Sequence, residues 1–203
     1  MGNNTPPPVV LASASRPRAR MLANAGLVFS TDAASVDEAT IKNSMRASGA
    51  DAAQIAEVLA ATKAQQVSRK HGDSLVVGAD QMLVCGDEWF DKPDNREDAR
   101  NHLTRLRGRT HELISAVCVV QGGVVLWHHL ERARMTMRPF SDGFIGDYLD
   151  KMDEKITATV GGYELEGLGV QLFSRIEGDH FTILGMPLLP LLDFLRGHGV
   201  VGE

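Results

Sequence analysis

The fold of this chain is decided by the stretch Ser74-Leu75-Val76-Val77-Gly78-Ala79-Asp80-Gln81. Its apolar run is typical of a buried strand, and the strand delivers a carboxylate, Asp80, near its end. Because the removal of a carboxylate from water is costly, a sequence rarely places Asp there unless a cation, a capping group or a nearby amine compensates the charge. The stretch therefore predicts a central strand and a site at its end.

Acids and amines that could meet Asp80 lie on both sides of it in the chain. Glu38 and Lys63 precede it, and Lys92 follows it. The strand is predicted to turn back through residues 86–90, which would return Lys92 toward Asp80. Two acids and two amines could therefore meet at one place if the fold brings these segments together.

Length and composition are those of an ordinary globular protein. The chain has 203 residues, of which 43% are hydrophobic and 23% are charged. We therefore expect one domain over residues 1–203, with a flexible lead-in over residues 1–8. The formal net charge of −5 argues against a dedicated nucleic-acid binder, and a small anionic ligand fits better.

Neither a membrane segment nor a metal-binding cysteine motif is visible. No apolar run approaches the roughly 18 residues of a membrane span, and the start of the chain lacks the features of a signal peptide, so we expect a cytoplasmic protein. Cys85 and Cys118 lack the spacing of metal ligands and lie in apolar stretches, which predicts packed thiols.

Predicted strands and helices alternate along the chain, which is typical of an α/β fold. The strands are predicted at residues 9–12, 75–85, 88–90, 111–121 and 124–137, with a last one that runs through residue 176. The helices are predicted at residues 17–25, 51–70, about 95–106, 140–152 and 188–196.

A turn rich in hydroxyls separates the first strand from the first helix. It reads Ser13-Ala14-Ser15, in which Ser15 is a candidate N-cap and Gly26 a candidate stop for the helix. A strand, a serine turn and a helix start together form a cradle for an anion. Ser13 taken alone would be interpreted as a simple cap.

Several short segments together resemble the Maf family of nucleoside triphosphate pyrophosphatases, and the match spans nearly the whole chain. They are Leu11-Ala12-Ser13-Ala14-Ser15, Val76-Val77-Gly78-Ala79-Asp80-Gln81, Asp91-Lys92-Pro93, Arg107-Gly108-Arg109-Thr110-His111, Ile176-Glu177-Gly178-Asp179 and Gly185-Met186-Pro187-Leu188. The resemblance implies a fold similar to inosine triphosphate pyrophosphatase, with a curved mixed sheet, flanking helices and a cleft between two lobes. It also implies conversion of a nucleoside triphosphate to a monophosphate and pyrophosphate, and it suggests a homodimer.

The resemblance carries the functional positions of the family over to Ser13, Arg18, Glu38, Lys63, Asp80 and Lys92. Asp80 is implied to accept the proton of the attacking water, and with Glu38 it could hold Mg²⁺ or Mn²⁺. Lys63, Lys92 and Arg18 would neutralise the triphosphate, and Arg18 could fork onto two oxygens. Whether Asp80 acts as base, metal ligand or both is left open.

Plainer interpretations exist for these residues when each is taken singly. A lysine such as Lys63 on an alanine-rich helix is usually solvated, and Glu38 after Asp37 is usually a loop charge. Lys92 before Pro93 is usually a turn residue. The order of the segments along the chain favours the functional interpretation.

Gln81 and Glu166 bear on the choice of base. Family members that resemble 7-methyl-GTP pyrophosphatases carry Asp-Gln at the catalytic strand and Glu in the late glycine loop, as this chain does. A carboxylate at Glu166 could accept the N–H donors of a guanine edge, which predicts a 7-methyl-GTP-like substrate. Pro17, at the base-selective position of the family, offers neither charge nor aromatic face. A dTTP/UTP pyrophosphatase of the same family, or a nucleotide-binding regulator of cell division without turnover, is the alternative.

Overall fold

The computed structural model of the protein describes residues 6–202. Residues 1–5 of the expected lead-in lie outside this range. The strands are β1 (Val9–Leu11), β2 (Ser30–Thr31), β3 (Leu75–Cys85), β4 (Glu88–Phe90), β5 (Thr110–Gln121), β6 (Val124–Met137) and β7 (Phe173–Glu177). The helices are α1 (Arg16–Asn24), α2 (Glu38–Ala47), α3 (Ala52–Ser68), α4 (Arg96–Leu106), α5 (Asp142–Met152), α6 (His180–Ile183) and α7 (Leu188–Gly197). Short 3₁₀ helices span Asp153–Thr157, Val160–Gly162 and Leu168–Leu172.

The described strands form a mixed sheet in the order β2-β1-β3-β5-β6-β7, with β4 paired to β3. β1 is parallel to both β2 and β3. β4 is antiparallel to β3, and β7 is antiparallel to β6. The α/β prediction is confirmed, and so is the hairpin return of β4, whose Glu88 pairs with Cys85.

The chain divides into two compact units. The first contains the chain up to Gln81, Ser115–Glu131 and the chain from His180 onward. The second contains Met82–Ile114 and Arg132–Asp179. The expectation of a single domain stays a prediction.

The two faces of β3 in the first unit meet different elements. Leu75 and Val77 belong to an apolar core that also contains Leu22 of α1 and Leu191 of α7. Successive side chains of a strand point to opposite faces, so Gly78 faces the other way, toward α3. Each large side chain of this core contributes about 1.5–3 kcal/mol by its burial.

α3 lies directly on β3 because Gly78 has no side chain. A Cβ on Gly78 would lie 2.2 Å from the backbone oxygen of Ala60 and 2.8 Å from the backbone nitrogen of Ala64. α3 begins with a capping box, in which Asp51 and Gln54 bond each other's backbone N–H groups. Its small buried residues make close contact with the strand and fix the position of the side chains between them.

α2 was not predicted from the sequence, in which Glu38 taken singly would be interpreted as a loop charge. Glu38 is instead the first residue of the helix, and Asp37 caps it by accepting the N–H of Thr40 at 3.0 Å. No residue of α2 is fully buried, and its apolar signal is short, with only Ile41 and Met45 at helical spacing. Its start places the carboxylate of Glu38.

Other predictions concern the thiols and the membrane. Cys85 and Cys118 are buried free thiols, as predicted. Within residues 6–202, no helix has both the length and the apolar character needed to cross a membrane.

Candidate active site

Three elements of the first unit bring a lysine and two carboxylates together. Lys63 Nζ lies 2.6 Å from Asp80 Oδ1 and 2.8 Å from Glu38 Oε1. The three side chains come from α3, from β3 and from the start of α2. Lys63 is only 8% exposed, which makes the plainer interpretation of a solvated lysine wrong.

Lys63 reaches Asp80 because the helix and the strand are so close. Its neighbours on α3, Ala60 and Ala64, are the residues against which Gly78 packs. Gly78 and Asp80 are two residues apart on β3 and therefore share a face. The ion pair thus depends on the close contact that the missing Cβ of Gly78 permits.

Burial controls the acidity of this cluster. Burial raises the pKa of Asp80 above the ordinary carboxyl value, and the charges of Lys63 and Arg18 oppose the rise. Burial also favours a higher pKa for Glu38, but the hydrogen bond and the charge of Lys63 outweigh this effect and lower the pKa. Two adjacent carboxylates are therefore placed in unlike environments, an arrangement that separates their chemical roles.

One oxygen of Asp80 is left without a partner. Oδ1 accepts from Lys63, whereas the buried Oδ2 accepts no hydrogen bond from any residue in the described part of the chain. A buried carboxylate oxygen of this kind is costly unless it serves a ligand or a reaction. It is the atom of the cluster best suited to take a proton.

Arg18 ties the serine turn to the end of β3. Its Nη1 donates to Ser13 Oγ at 3.2 Å and to the backbone oxygen of Ala79 at 2.9 Å, and its Nε donates to Gly185 O at 2.9 Å. Ser15 caps α1 as predicted. Because Nε and Nη1 are engaged inside the protein, the donors that Arg18 could offer to a phosphate are those of Nη2.

Gln81 points away from the carboxylates. Its Nε2 donates to Ser115 Oγ at 3.0 Å and to the backbone oxygens of Thr182 and Ile183 at 3.1 Å each. Neither Ser115 nor Thr182 was singled out from the sequence. A serine inside an apolar strand and a threonine in a short helix give no local signal of a shared hydrogen-bond network.

The remaining predicted site residues belong to the second unit. Lys92 is exposed in the link between β4 and α4. Glu166 is exposed in the turn that precedes the 3₁₀ helix Leu168–Leu172. Their roles stay predictions.

A comparison with known protein families decides the affiliation of the chain. The model of a family described as Maf-like protein matches residues 8–198. The chain belongs to the Maf family. The resemblance predicted from the short segments is thereby confirmed.

Relatives of this Maf-family chain cover nearly its whole length. A protein of Paramagnetospirillum magneticum named nucleoside triphosphate pyrophosphatase is 54% identical over 94% of this chain and 98% of its own. A protein of Rhizobium meliloti named 7-methyl-GTP pyrophosphatase is 48% identical over 96% of this chain and 98% of its own. A crystal structure of a nucleoside-triphosphatase, dITP/XTP pyrophosphatase, from Mycobacterium abscessus is 16% identical with a TM-score of 0.49, over 93% of this chain and 96% of that one.

The donor set of the Maf-family site fits a hard divalent cation. Among residues 6–202, no group of three or more His, Cys, Asp or Glu side chains is placed to hold a metal ion. Glu38 and Asp80 supply two carboxylates, and Asp80 Oδ2 is an unused buried oxygen. Mg²⁺ binds through one or two carboxylates and completes its shell with water and phosphate oxygens, so two carboxylates suffice.

The glycine loop that carries Glu166 is anchored by buried polar contacts in the second unit. Tyr163 OH lies 2.7 Å from His111 Nε2, and Tyr148 OH donates to Gly162 O at 3.2 Å. His111 is 1% exposed. A histidine inside a strand is more often a core residue than a site residue, so its contact with the loop could not be predicted from the sequence.

The burial of His111 predicts a loss of stability in acid. Burial lowers the pKa of His111 to about 4, whereas an unperturbed histidine in the unfolded chain titrates at about 6.5. Between these values the unfolded chain binds a proton that the folded chain does not, so the free energy of unfolding falls as the pH falls. We expect a loss of about 2 kcal/mol between pH 7 and pH 5, measured from urea unfolding curves.

A His111→Asn variant is the control for this loss, since it has no imidazole to titrate. Between pH 7 and pH 5, the free energy of unfolding of this variant should fall by about 2 kcal/mol less than that of the wild type. An NMR titration of the His111 ring in the folded wild type gives an independent measurement. A ring that titrates at an ordinary histidine pKa would contradict the prediction.

Proposed function

We propose that the protein hydrolyses the α–β phosphoanhydride bond of a nucleoside triphosphate and releases a monophosphate and pyrophosphate. The observation that carries the proposal is the buried cluster of Asp80, Lys63 and Glu38, with a carboxylate oxygen held unused inside a Maf-family fold. The names of the relatives support the same reaction class, which is a hydrolase acting on acid anhydrides.

Asp80 acts as the base in this reaction. Hydrolysis needs a water aimed at phosphorus and a group that takes its proton. Oδ2 is the acceptor, and Lys63 holds Oδ1 and therefore the orientation of the carboxylate. The raised pKa of Asp80 makes it a stronger base than an exposed aspartate, so proton transfer from water is less unfavourable.

Positive charge stabilises the oxyanions that develop on the phosphates. Arg18 supplies a guanidinium beside the serine turn, and Lys63 supplies an ammonium at the carboxylates. Lys92 is proposed to add a further charge on the strength of the family resemblance. Glu38 and Asp80 would hold Mg²⁺ or Mn²⁺, which when bound neutralises phosphate oxygens.

The proposed substrate is a 7-methyl-GTP-like nucleotide. The family resemblance implies that Gln81 and Glu166 stand at positions that distinguish the branches, and the relative from Rhizobium meliloti carries the corresponding name. The test is pyrophosphate release from 7-methyl-GTP, GTP, dTTP, UTP and CTP with Mg²⁺ or Mn²⁺. A pyrimidine preference would keep the reaction and discard this substrate. Binding without any release would favour a nucleotide-binding regulator.

Replacement of Glu166 by Gln tests whether this residue selects the nucleobase of the substrate. The amide loses one acceptor and the negative charge that a guanine edge would use, so kcat/KM for 7-methyl-GTP relative to dTTP should fall by about tenfold. Glu164→Gln, the same change in the same loop, should leave that ratio unaltered. An unchanged ratio in Glu166→Gln would remove Glu166 from base selection.

A further inference from the structure

Gln81 is held by three acceptors of the first unit. Its Nε2 lies within 3.1 Å of Ser115 Oγ and of the backbone oxygens of Thr182 and Ile183. Carbonyl oxygens have no hydrogen to donate, so only the NH2 end of the amide can face them. A flipped amide would place Oε1 of Gln81 against the two carbonyl oxygens and the oxygen of Ser115. The neighbours of Gln81 therefore fix which end of its side chain turns inward.

Ser115 completes the arrangement. Its hydroxyl donates to the backbone oxygen of Thr182 at 2.7 Å, so its oxygen acts as an acceptor toward Gln81. Ser115 and Thr182 are both 0% exposed, and water does not compete for these bonds. Both hydrogens of the Gln81 amide are thus taken up inside the protein.

The other end of the amide lies beside the serine-turn arginine. A Cβ on Gly185 would lie 3.7 Å from Gln81 Oε1 and 3.4 Å from Arg18 Nη2. The same Gly185 accepts a hydrogen bond from Arg18 Nε. Gly185 has a φ of +99°, a conformation that favours glycine. The carbonyl oxygen of Gln81 and Nη2 of Arg18 therefore both lie beside the backbone of Gly185.

We infer that Ser115 is a positioning residue that, with the carbonyls of Thr182 and Ile183, turns Gln81 so that it offers the substrate an oxygen and no N–H. The inference rests on the proposed function and deepens it. The group of the nucleotide that meets Gln81 must be a hydrogen-bond donor, such as the N–H groups of a guanine edge. A keto or phosphate oxygen at that point would face the carbonyl oxygen and be repelled.

Ser115→Ala tests this role in catalysis, with Ser68→Ala as the matched control. Each variant removes one buried serine hydroxyl that takes part in a hydrogen bond, but Ser68 accepts from the backbone N–H of Gly123 and lies outside the Gln81 network. We expect Ser115→Ala to lower kcat/KM for 7-methyl-GTP relative to dTTP by about fivefold, the worth of one neutral hydrogen bond. Ser68→Ala should leave the ratio unchanged even if it costs similar stability.

A double-mutant cycle with Gln81→Leu separates positioning from general damage. If Ser115 acts through Gln81, Ser115→Ala has no further effect on the ratio once Gln81 is replaced. The same fivefold fall in the Gln81→Leu background would overturn the inference. An unchanged ratio after Ser115→Ala alone would overturn it as well.

Hydrogen exchange of the Gln81 side-chain amide gives a readout that needs no substrate. In the ¹⁵N-labelled protein these two protons, assigned by their loss in Gln81→Leu, should exchange slowly with water, and about fivefold faster or more in Ser115→Ala. Fast exchange in the wild type would overturn the inference even if the enzyme is active. A wild type that releases no pyrophosphate would contradict the proposed function, while slow exchange would still support the position assigned to Gln81.

Discussion

Replacement of Asp80 by Asn is expected to lower kcat by about a thousandfold, within the range that a positioned general base contributes. Asparagine has nearly the same shape, and its carbonyl oxygen can still accept from Lys63. It cannot take a proton from water at Oδ2, where the aspartate has no other partner in the described structure. The measurement is pyrophosphate release at saturating nucleotide in the wild type and in the variant.

Folding of the Asp80→Asn protein should be preserved. Burial disfavours the ionised form of Asp80, so a neutral amide removes a desolvation cost, and Lys63 keeps Glu38 as its partner at 2.8 Å. Asp37→Asn is the matched control, because it makes the same change beside Glu38 and asparagine also caps helices. A folded Asp80→Asn protein with unchanged kcat would show that another group takes the proton.

Replacement of Gly78 by Ala is expected to destabilise the protein by about 3 kcal/mol, at the upper end of the usual cost of overpacking a core. The added Cβ would lie 2.2 Å from the backbone oxygen of Ala60, and a backbone atom cannot rotate aside as a side chain can. α3 must therefore move away from β3. Urea unfolding measures the loss of stability. The kcat of the remaining folded protein should also fall, because the shift of α3 moves Lys63 away from Asp80.

Gly72→Ala is the matched control for this substitution. A Cβ at Gly72 would meet no atom within 4 Å, so the same change in the loop between α3 and β3 should cost little. Equal stability of the two variants would mean that helix and strand do not touch at Gly78. Loss of stability with unchanged kcat would mean that Lys63 is not needed at its present distance.

Much of the fold could be predicted because its central elements carry strong local signals. β3, α3 and the long strands β5 and β6 combine apolar runs with glycine turns, and their bounds agree with the structure to within about two residues. α2 could not be predicted in this way, since its apolar signal is limited to Ile41 and Met45 and no residue of the helix is fully buried. The sequence therefore singled out Glu38 but did not predict the helix that begins at it.

Some residues of the candidate site could likewise be predicted from the sequence, and others could not. Asp80, Lys63 and Glu38 could be proposed because a charge at the end of a buried strand demands a partner, and the family resemblance named the partners. Ser115 is hydrogen-bonded to Gln81, and His111 is hydrogen-bonded to Tyr163, in each case across a long stretch of chain. Such contacts depend on the packing of distant strands, and no local pattern in the sequence encodes them.

Asp80 and Gln81 are consecutive, yet their side chains leave β3 on opposite faces. The proposed proton acceptor, Asp80, and the proposed nucleobase contact, Gln81, are therefore neighbours in the chain but have different surroundings. An engineer who wishes to alter the range of accepted nucleotides can therefore randomise Gln81 and Ser115 together and leave the α3 side of the strand untouched. Variants from such a library should keep their proton acceptor while they differ in the base they admit.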